Sequence, residues 1–185
     1  MPIDSDKQIL RLQKQHTPTR KIDVESGDGA RLVRAQSVRQ AIFGGLIAVI
    51  LFSILWVMLS TLVDRVFPWL TIALGLLIGL VMRRAGQGLD WRFPLLAAVM
   101  TVIGALVGNV VVAAAFTAQE FETGTLQILR AVTTMTWPVF FAEVISVADV
   151  IYALFGAAIA AFYAKRRLTR AEYLALRIWQ QEQGR

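Results

Sequence analysis

Uncharged apolar runs alternate with short polar segments along most of this chain, and the run lengths set the first expectation. A helix that crosses a bilayer needs about 20 predominantly apolar residues at about 1.5 Å of rise each. Ala41 to Val63 and Pro94 to Phe116 meet that length outright. Val66 to Met82 meets it through residue 85 if Arg83 and Arg84 reach the surface along their alkyl stems. A shorter run, Val147 to Ala164, carries a single acid, Asp149, near its start. Four spans are therefore predicted, at about 41–63, 66–85, 94–116 and 147–164. Only Asp64 and Arg65 separate the first two, and Pro68 suits the first turn of the second helix, where a missing N–H costs little. Those two spans should form an antiparallel hairpin.

The polar segments divide by type. Residues 1–40 read as a basic tail, largely flexible through residue 29, with the lone His16 and no apolar core of the kind a cleaved leader needs. Ala41 to Val63 would then serve as an uncleaved anchor, entered by a basic helix over Ala30 to Gln40. The connection from Thr117 to Ser146 is not purely polar. LQILRAVTTMT suits a short helix in the interface, Trp137 and Pro138 interrupt it, and VFFAEVI is apolar but too short to cross. A surface-lying or re-entrant segment over about 125–145 is expected. Ser146 and Asp149 have the spacing of a helix-start capping pair, as do Thr169 and Glu172. After Thr169, Ala171, Leu174, Ala175 and Ile178 recur at helical spacing, so residues 165–185 should form a basic amphipathic helix, membrane-lying, bundle-packed or docking a partner.

Composition agrees and charge adds an orientation. At 56% hydrophobic against 17% charged residues, the chain is too apolar for an ordinary soluble domain of 185 residues. Of its 19 Lys and Arg residues, all but Arg65 and Arg130 fall before the first span, between the second and third, or after the fourth. Basic residues are retained on the cytoplasmic side, so both termini and the Arg83–Arg92 turn are expected there. The net charge of +6 then points to anionic lipid at that face and not to nucleic acid, for which no binding pattern is present. The opposite face is acidic, with Glu120, Glu122 and Glu143. The absence of cysteine excludes disulfides and thiolate chemistry.

Candidate residues follow from these placements. Gly75 with Gly79, and Gly104 with Gly108, form GxxxG pairs, and Gly156 precedes Ala160 at the same spacing. Lipid offers helices no hydrophobic reason to associate, so small residues that admit close backbone approach are expected at the packing faces. Counted from the cytoplasmic turn, Gly75 and Gly104 fall at similar depth, which supports one close crossing. Asn109 is the most polar side chain deep in a span; it serves as an interhelical hydrogen-bonding group or lines a polar path. Glu143 and Asp149 are candidate outer-face acids, the first solvated and the second a cap. The turn containing Arg83, Arg84, Gly86, Gly88, Asp90 and Arg92 lacks the strand, helix N-terminus and Lys-Ser/Thr of a phosphate-binding loop. It is read as a cytoplasmic turn whose glycines supply positive φ. No nucleophile–base pair, metal-ligand set or cofactor motif is recognisable, so no catalytic, metal or cofactor residue is assigned and no enzyme is expected.

The stretch ALGLLIGLVMRRAGQGLDWRFPLLAAVMTVIGALVGN, Ala73 to Asn109, followed by ISVADVIYALFGAAIAAFYAKRR, Ile145 to Arg167, resembles a group of uncharacterised bacterial four-span inner-membrane proteins. They share a Gly-rich basic turn between spans two and three. The resemblance covers the spans and neither tail, and it implies an inner-membrane location without an activity. Some members of the group carry an N-terminal zinc ribbon, which a chain without cysteine lacks. The fold expected is all-α: a four-helix membrane bundle, N-in and C-in, with a cytoplasmic C-terminal amphipathic helix. The function expected is a non-enzymatic scaffold or accessory subunit with a protein partner; the alternative is a homo-oligomeric transporter or channel for a small solute.

Overall fold

The computed structural model describes residues 26–132 and 136–184. Among these the chain is entirely helical: α1 (Ser26–Arg34), α2 (Val38–Val63), α3 (Leu70–Gly86), α4 (Arg92–Glu120), α5 (Thr125–Ala131), α6 (Trp137–Val144), α7 (Val147–Ala164) and α8 (Arg170–Gln183). Three of them, α2, α4 and α7, are long and apolar enough to cross a membrane. With 17 residues, α3 spans about 26 Å, a little less than a hydrocarbon core of about 30 Å. Of the expected flexible tail, residues 1–25 with His16 lie outside the described residues, as do residues 133–135 of the connection.

Helices α3 and α4 form the centre. Each packs on the other, on α2 at one side and on α7 at the opposite side, while α2 and α7 do not meet. The central helices bury Leu74, Ile78, Met82 and Phe93, but on the two flanking helices the side chains are distributed largely opposite to those of a water-soluble bundle. On α2 the buried face is Ala41, Gly45, Ala48, Val49, Ser53, Trp56 and Ser60, whereas Phe43, Ile47, Leu51, Leu55, Met58 and Leu62 are exposed. On α7 the buried face is almost wholly Gly and Ala, while Ile151, Leu154, Phe155 and Phe162 point outward. A helix in water buries its large apolar residues. Small residues inside and large ones outside suit helices whose outer surface meets hydrocarbon.

The closest approach is between α3 and α7. A Cβ placed on Gly75 would overlap the Gly156 backbone, one on Gly156 would lie 2.7 Å from the Thr71 carbonyl oxygen, and one on Gly79 would lie 2.8 Å from that of Ala160. Gly104 and Gly108 do a different job: they accept side chains from α2, Val49 over Gly104 and the Trp56 ring over Gly108, with Leu74 of α3 also against Gly104. Gly75 and Gly104 are expected at similar depth, and the neighbouring Leu74 does lie against Gly104. The backbone partner of Gly75 is instead on the helix that returns last, whose Gly and Ala face is smooth enough to admit it.

Several boundaries differ from the sequence expectation. The basic entry helix does not run into α2. It ends at Arg34, and Ser37, in extended conformation at φ −136°, ψ 101°, caps a new helix by accepting from the Gln40 N–H. That break turns α1 onto α8, where a Cβ on Gly29 would sit 2.7 Å from Trp179 Cβ. Pro68 lies in a turn before α3, held by bonds from Leu70 N to Phe67 O and from Thr71 N to Pro68 O. Trp137 and Pro138 do not merely interrupt a helix; they begin α6, with proline in the first turn where its absent N–H is not missed. Both capping pairs form as spaced: Ser146 with Asp149, and Thr169 with Glu172.

If the α3–α7 crossing holds the helices together, Gly75→Ala lowers stability by about 1–3 kcal/mol, because the added methyl has only backbone to push against. Gly27→Ala, where a Cβ meets nothing within 4 Å, produces no loss. Reversible denaturation of both variants in mixed micelles measures the difference.

Candidate functional site

The turn between α3 and α4 ties one end of the molecule together. The Ser37 N–H donates to the Gly86 carbonyl at 3.0 Å, the Leu89 N–H to Gln36 Oε1 at 3.3 Å, and the Arg166 N–H to the Gly88 carbonyl at 3.2 Å. Arg166 Nη1 also donates to Gln87 Oε1 at 3.0 Å. The α1–α2 junction, the α3–α4 turn and the α7–α8 junction are thus one hydrogen-bonded layer. Its glycines are needed for space and not for positive φ. Gln87 is the residue in the left-handed region, at φ 47°, and no described glycine has positive φ. A Cβ on Gly88 would fall within the Phe93 ring, and one on Gly86 would lie 2.7 Å from Phe93 and 2.8 Å from Ala41. Phe93, buried beneath the turn, sets the demand.

Beside this layer is a cleft of about 440 Å³ lined by Leu80, Arg83, Arg84, Gln87, Arg166 and Arg167. Arg83 and Arg84 come from the last turn of α3; Arg166 and Arg167 follow the end of α7. Among the described residues Arg166 alone of these has a carboxylate partner, with Nη2 donating to Glu172 Oε1 at 2.7 Å. Glu172 is fixed in turn by the Thr169 N–H at 2.8 Å and hydroxyl at 3.1 Å. Its carboxyl is held below its ordinary value of 4.5, chiefly by the Thr169 N–H; partial burial opposes this, and the Thr169 hydroxyl and Arg166 charge add to it. Arg83, Arg84 and Arg167 have no ion pair among the described residues. Asp90 and Arg92, at the start of the next helix, are not part of the cleft.

A second polar feature lies between α4 and α7. Asn109 and Asp149 line one cavity of about 90 Å³ with Ala105, Leu106, Ile145 and Ala153. Both side chains are buried. Asp149 Oδ2 accepts from the Ser146 N–H at 2.9 Å and hydroxyl at 2.6 Å, so one carboxylate oxygen is committed to the cap. Glu143 is exposed on α6 and does not join Asp149, although the chain does break between them. Four further buried polar atoms, Ser53 Oγ, Trp56 Nε1, Ser60 Oγ and Thr71 Oγ1, have no hydrogen-bond partner among the described residues. No group of acids and histidines able to hold a metal occurs there either.

Arg83, Arg84, Gly86 and Gly88 stand out in the sequence as a turn, whereas Gln36, Gln87, Arg166 and Arg167 do not, because the last two approach the turn only once α7 has packed on α3. Ser37 and Gln40 did carry a signal, the Ser-x-x-Gln spacing of a helix start. No protein-family model matches the chain, and no curated protein or solved structure is significantly similar to it.

The Glu172 contacts predict a pH response. A carboxyl whose folded value is depressed contributes stability above its unfolded value, and that contribution is lost as pH falls through the folded one. Below about pH 4.5 the first turn of α8 should exchange amide hydrogens faster, after correction for intrinsic rates, and Glu172→Gln should remove this pH dependence. Peptide-resolved hydrogen exchange over residues 168–176 reads it.

Proposed function

We propose that this chain is a multi-pass membrane protein of four spans, α2, α3, α4 and α7, with both termini and the α3–α4 turn on the cytoplasmic side of a bacterial inner membrane. The grouping of Arg and Lys at one end supports that orientation. The tight seating of α3 between α2 and α7 supports counting it as a span despite its length. Its activity in this reading is non-enzymatic: a small scaffold or accessory subunit that presents a docking surface at the cytoplasmic face.

The observation that carries the scaffold reading is the α1–α8 pair. These two helices pack on each other and on none of the other six. They hold Ala175 buried between them while leaving Tyr173, Leu174 and Ile178 exposed. A shallow depression of about 380 Å³ lies beside Leu168, Tyr173 and Leu174. Exposed apolar residues on a helix pair outside the bundle are a surface for a partner. The second reading, an oligomeric transporter or channel, is favoured by the Asn109–Asp149 cavity, which places two polar side chains between apolar helices.

Purification in mild detergent followed by native mass spectrometry separates the two. The scaffold reading expects a distinct protein at fixed stoichiometry, reduced about ten-fold or more when Tyr173 and Leu174 are both changed to Ala, as removing two interface anchors does. A complex containing only copies of this chain, together with solute uptake into liposomes that Asn109→Leu abolishes, would establish the transporter instead.

A further inference from the structure

The cleft at the end of α3 and α7 has a composition that the scaffold role does not use. Four guanidinium groups, from Arg83, Arg84, Arg166 and Arg167, border one space of about 440 Å³, and among the described residues one carboxylate, Glu172, pairs with one of them, Arg166. Gln87 does not add negative charge, and its amide oxygen is occupied by Arg166. The C-terminal end of α3 offers only partial negative charge to its arginines. Like charges gathered into one concavity repel each other, so the arrangement is stabilised by an anion with several acceptor oxygens. Guanidinium groups match phosphate oxygens in pairs, with two parallel N–H bonds from a planar fork.

The remaining lining residue narrows the choice. Leu80 is about one turn before Arg83 on α3 and is exposed on the side of the apolar stretch, so the cleft is cationic at its outer rim and apolar at its inner edge. We infer that this cleft binds the phosphate of an anionic phospholipid, with Arg83, Arg84 and Arg167 on the headgroup and the acyl chains descending past Leu80. Basic pockets between helices at the cytoplasmic face of a membrane are suited to such headgroups. The inference rests on the membrane reading for its source of phosphate, but the phosphate-binding chemistry is that of the arginines themselves. Arg166 is a positioning residue: its bonds to Gln87, Glu172 and the Gly88 carbonyl hold the α7–α8 junction against the turn and so close one wall of the cleft.

The test uses the full chain in a neutral detergent, titrated with short-chain phosphatidylglycerol, short-chain phosphatidylcholine and inorganic phosphate in separate arms, with binding read by native mass spectrometry. The cleft variant is Arg83→Gln, Arg84→Gln and Arg167→Gln together; these side chains make no hydrogen bond or ion pair among the described residues, so no such contact is lost with them. A charge-matched control replaces the exposed Arg31, Arg34 and Arg177 with Gln, and circular dichroism verifies equal helicity. The expected result is binding of phosphatidylglycerol but not phosphatidylcholine, weakened about ten-fold or more in the cleft variant and less than about two-fold in the control. Inorganic phosphate competing at similar concentration, with the same dependence on the three arginines, supports the phosphate site and assigns it to a soluble phosphate. Equal weakening in both variants, or none in the cleft variant, overturns the inference. Alkaline carbonate extraction, run separately, reports on the membrane reading: release from vesicles defeats that reading and leaves the binding result interpretable.

Discussion

The arrangement depends on two backbones meeting without side chains between them, Gly75 of α3 against Gly156 of α7. Large apolar side chains of α3, Leu74, Ile78 and Met82, are buried beside this contact, but α7 contributes only small residues to it, and its own large residues face outward. What remains is dispersion between closely spaced backbones, a short-range attraction lost with a small separation. Ala153, Ala157 and Ala160 extend the same smooth surface along α7. Because α3 is the shortest of the four packed helices, its position is set by this contact and by Val49, Leu74 and Trp56 filling the hollows over Gly104 and Gly108.

Once α7 is seated, the polar end follows. The end of α7 delivers Arg166 to the Gly88 carbonyl and to Gln87, and the same turn receives Ser37 and Gln36 from the α1–α2 junction. Phe93 fills the space beneath and excludes any side chain at residues 86 and 88. A packing contact far from the surface therefore determines which charges face one another. Four arginines share a cleft because α3 and α7 end side by side, and α1 pairs with α8 because the junctions that lead to them are bonded to one turn. The opposite end is built differently: among the described residues α5 and α6 touch only α4 and bury no residue, and α6 carries the exposed Glu143.

What could be read in advance was what depends on neighbours in sequence. Run length located the cores of α2, α4 and α7, and the Ser146–Asp149 and Thr169–Glu172 spacings marked two helix starts. The Ser37 break was equally local, yet helix-permitting residues on both sides concealed it. Pairing was not legible. A GxxxG spacing states that a helix has a face of small residues, but the residue that meets Gly75 is 81 positions away and only the packing of the whole set identifies it. For the same reason Asn109 and Asp149 were each noticed alone, and the cavity they share required α4 and α7 side by side. The glycine turn does lie between two helices, but positive φ is not why its glycines are there: Gln87 takes that conformation, and Phe93 leaves no room for a side chain at residues 86 and 88.

The central claim, that apolar helices carry the chain through lipid and leave the layer around Gln87 on one side, is tested most directly by single-cysteine labelling. The native sequence contains no cysteine, so each introduced thiol reports alone. Gln87→Cys, Gln180→Cys and Glu122→Cys would be exposed in intact cells to a membrane-impermeant maleimide, and again after the membrane is opened. The account predicts that Glu122→Cys is labelled in intact cells while Gln87→Cys and Gln180→Cys react only after opening. Labelling of Gln87→Cys and Glu122→Cys from the same side would contradict it.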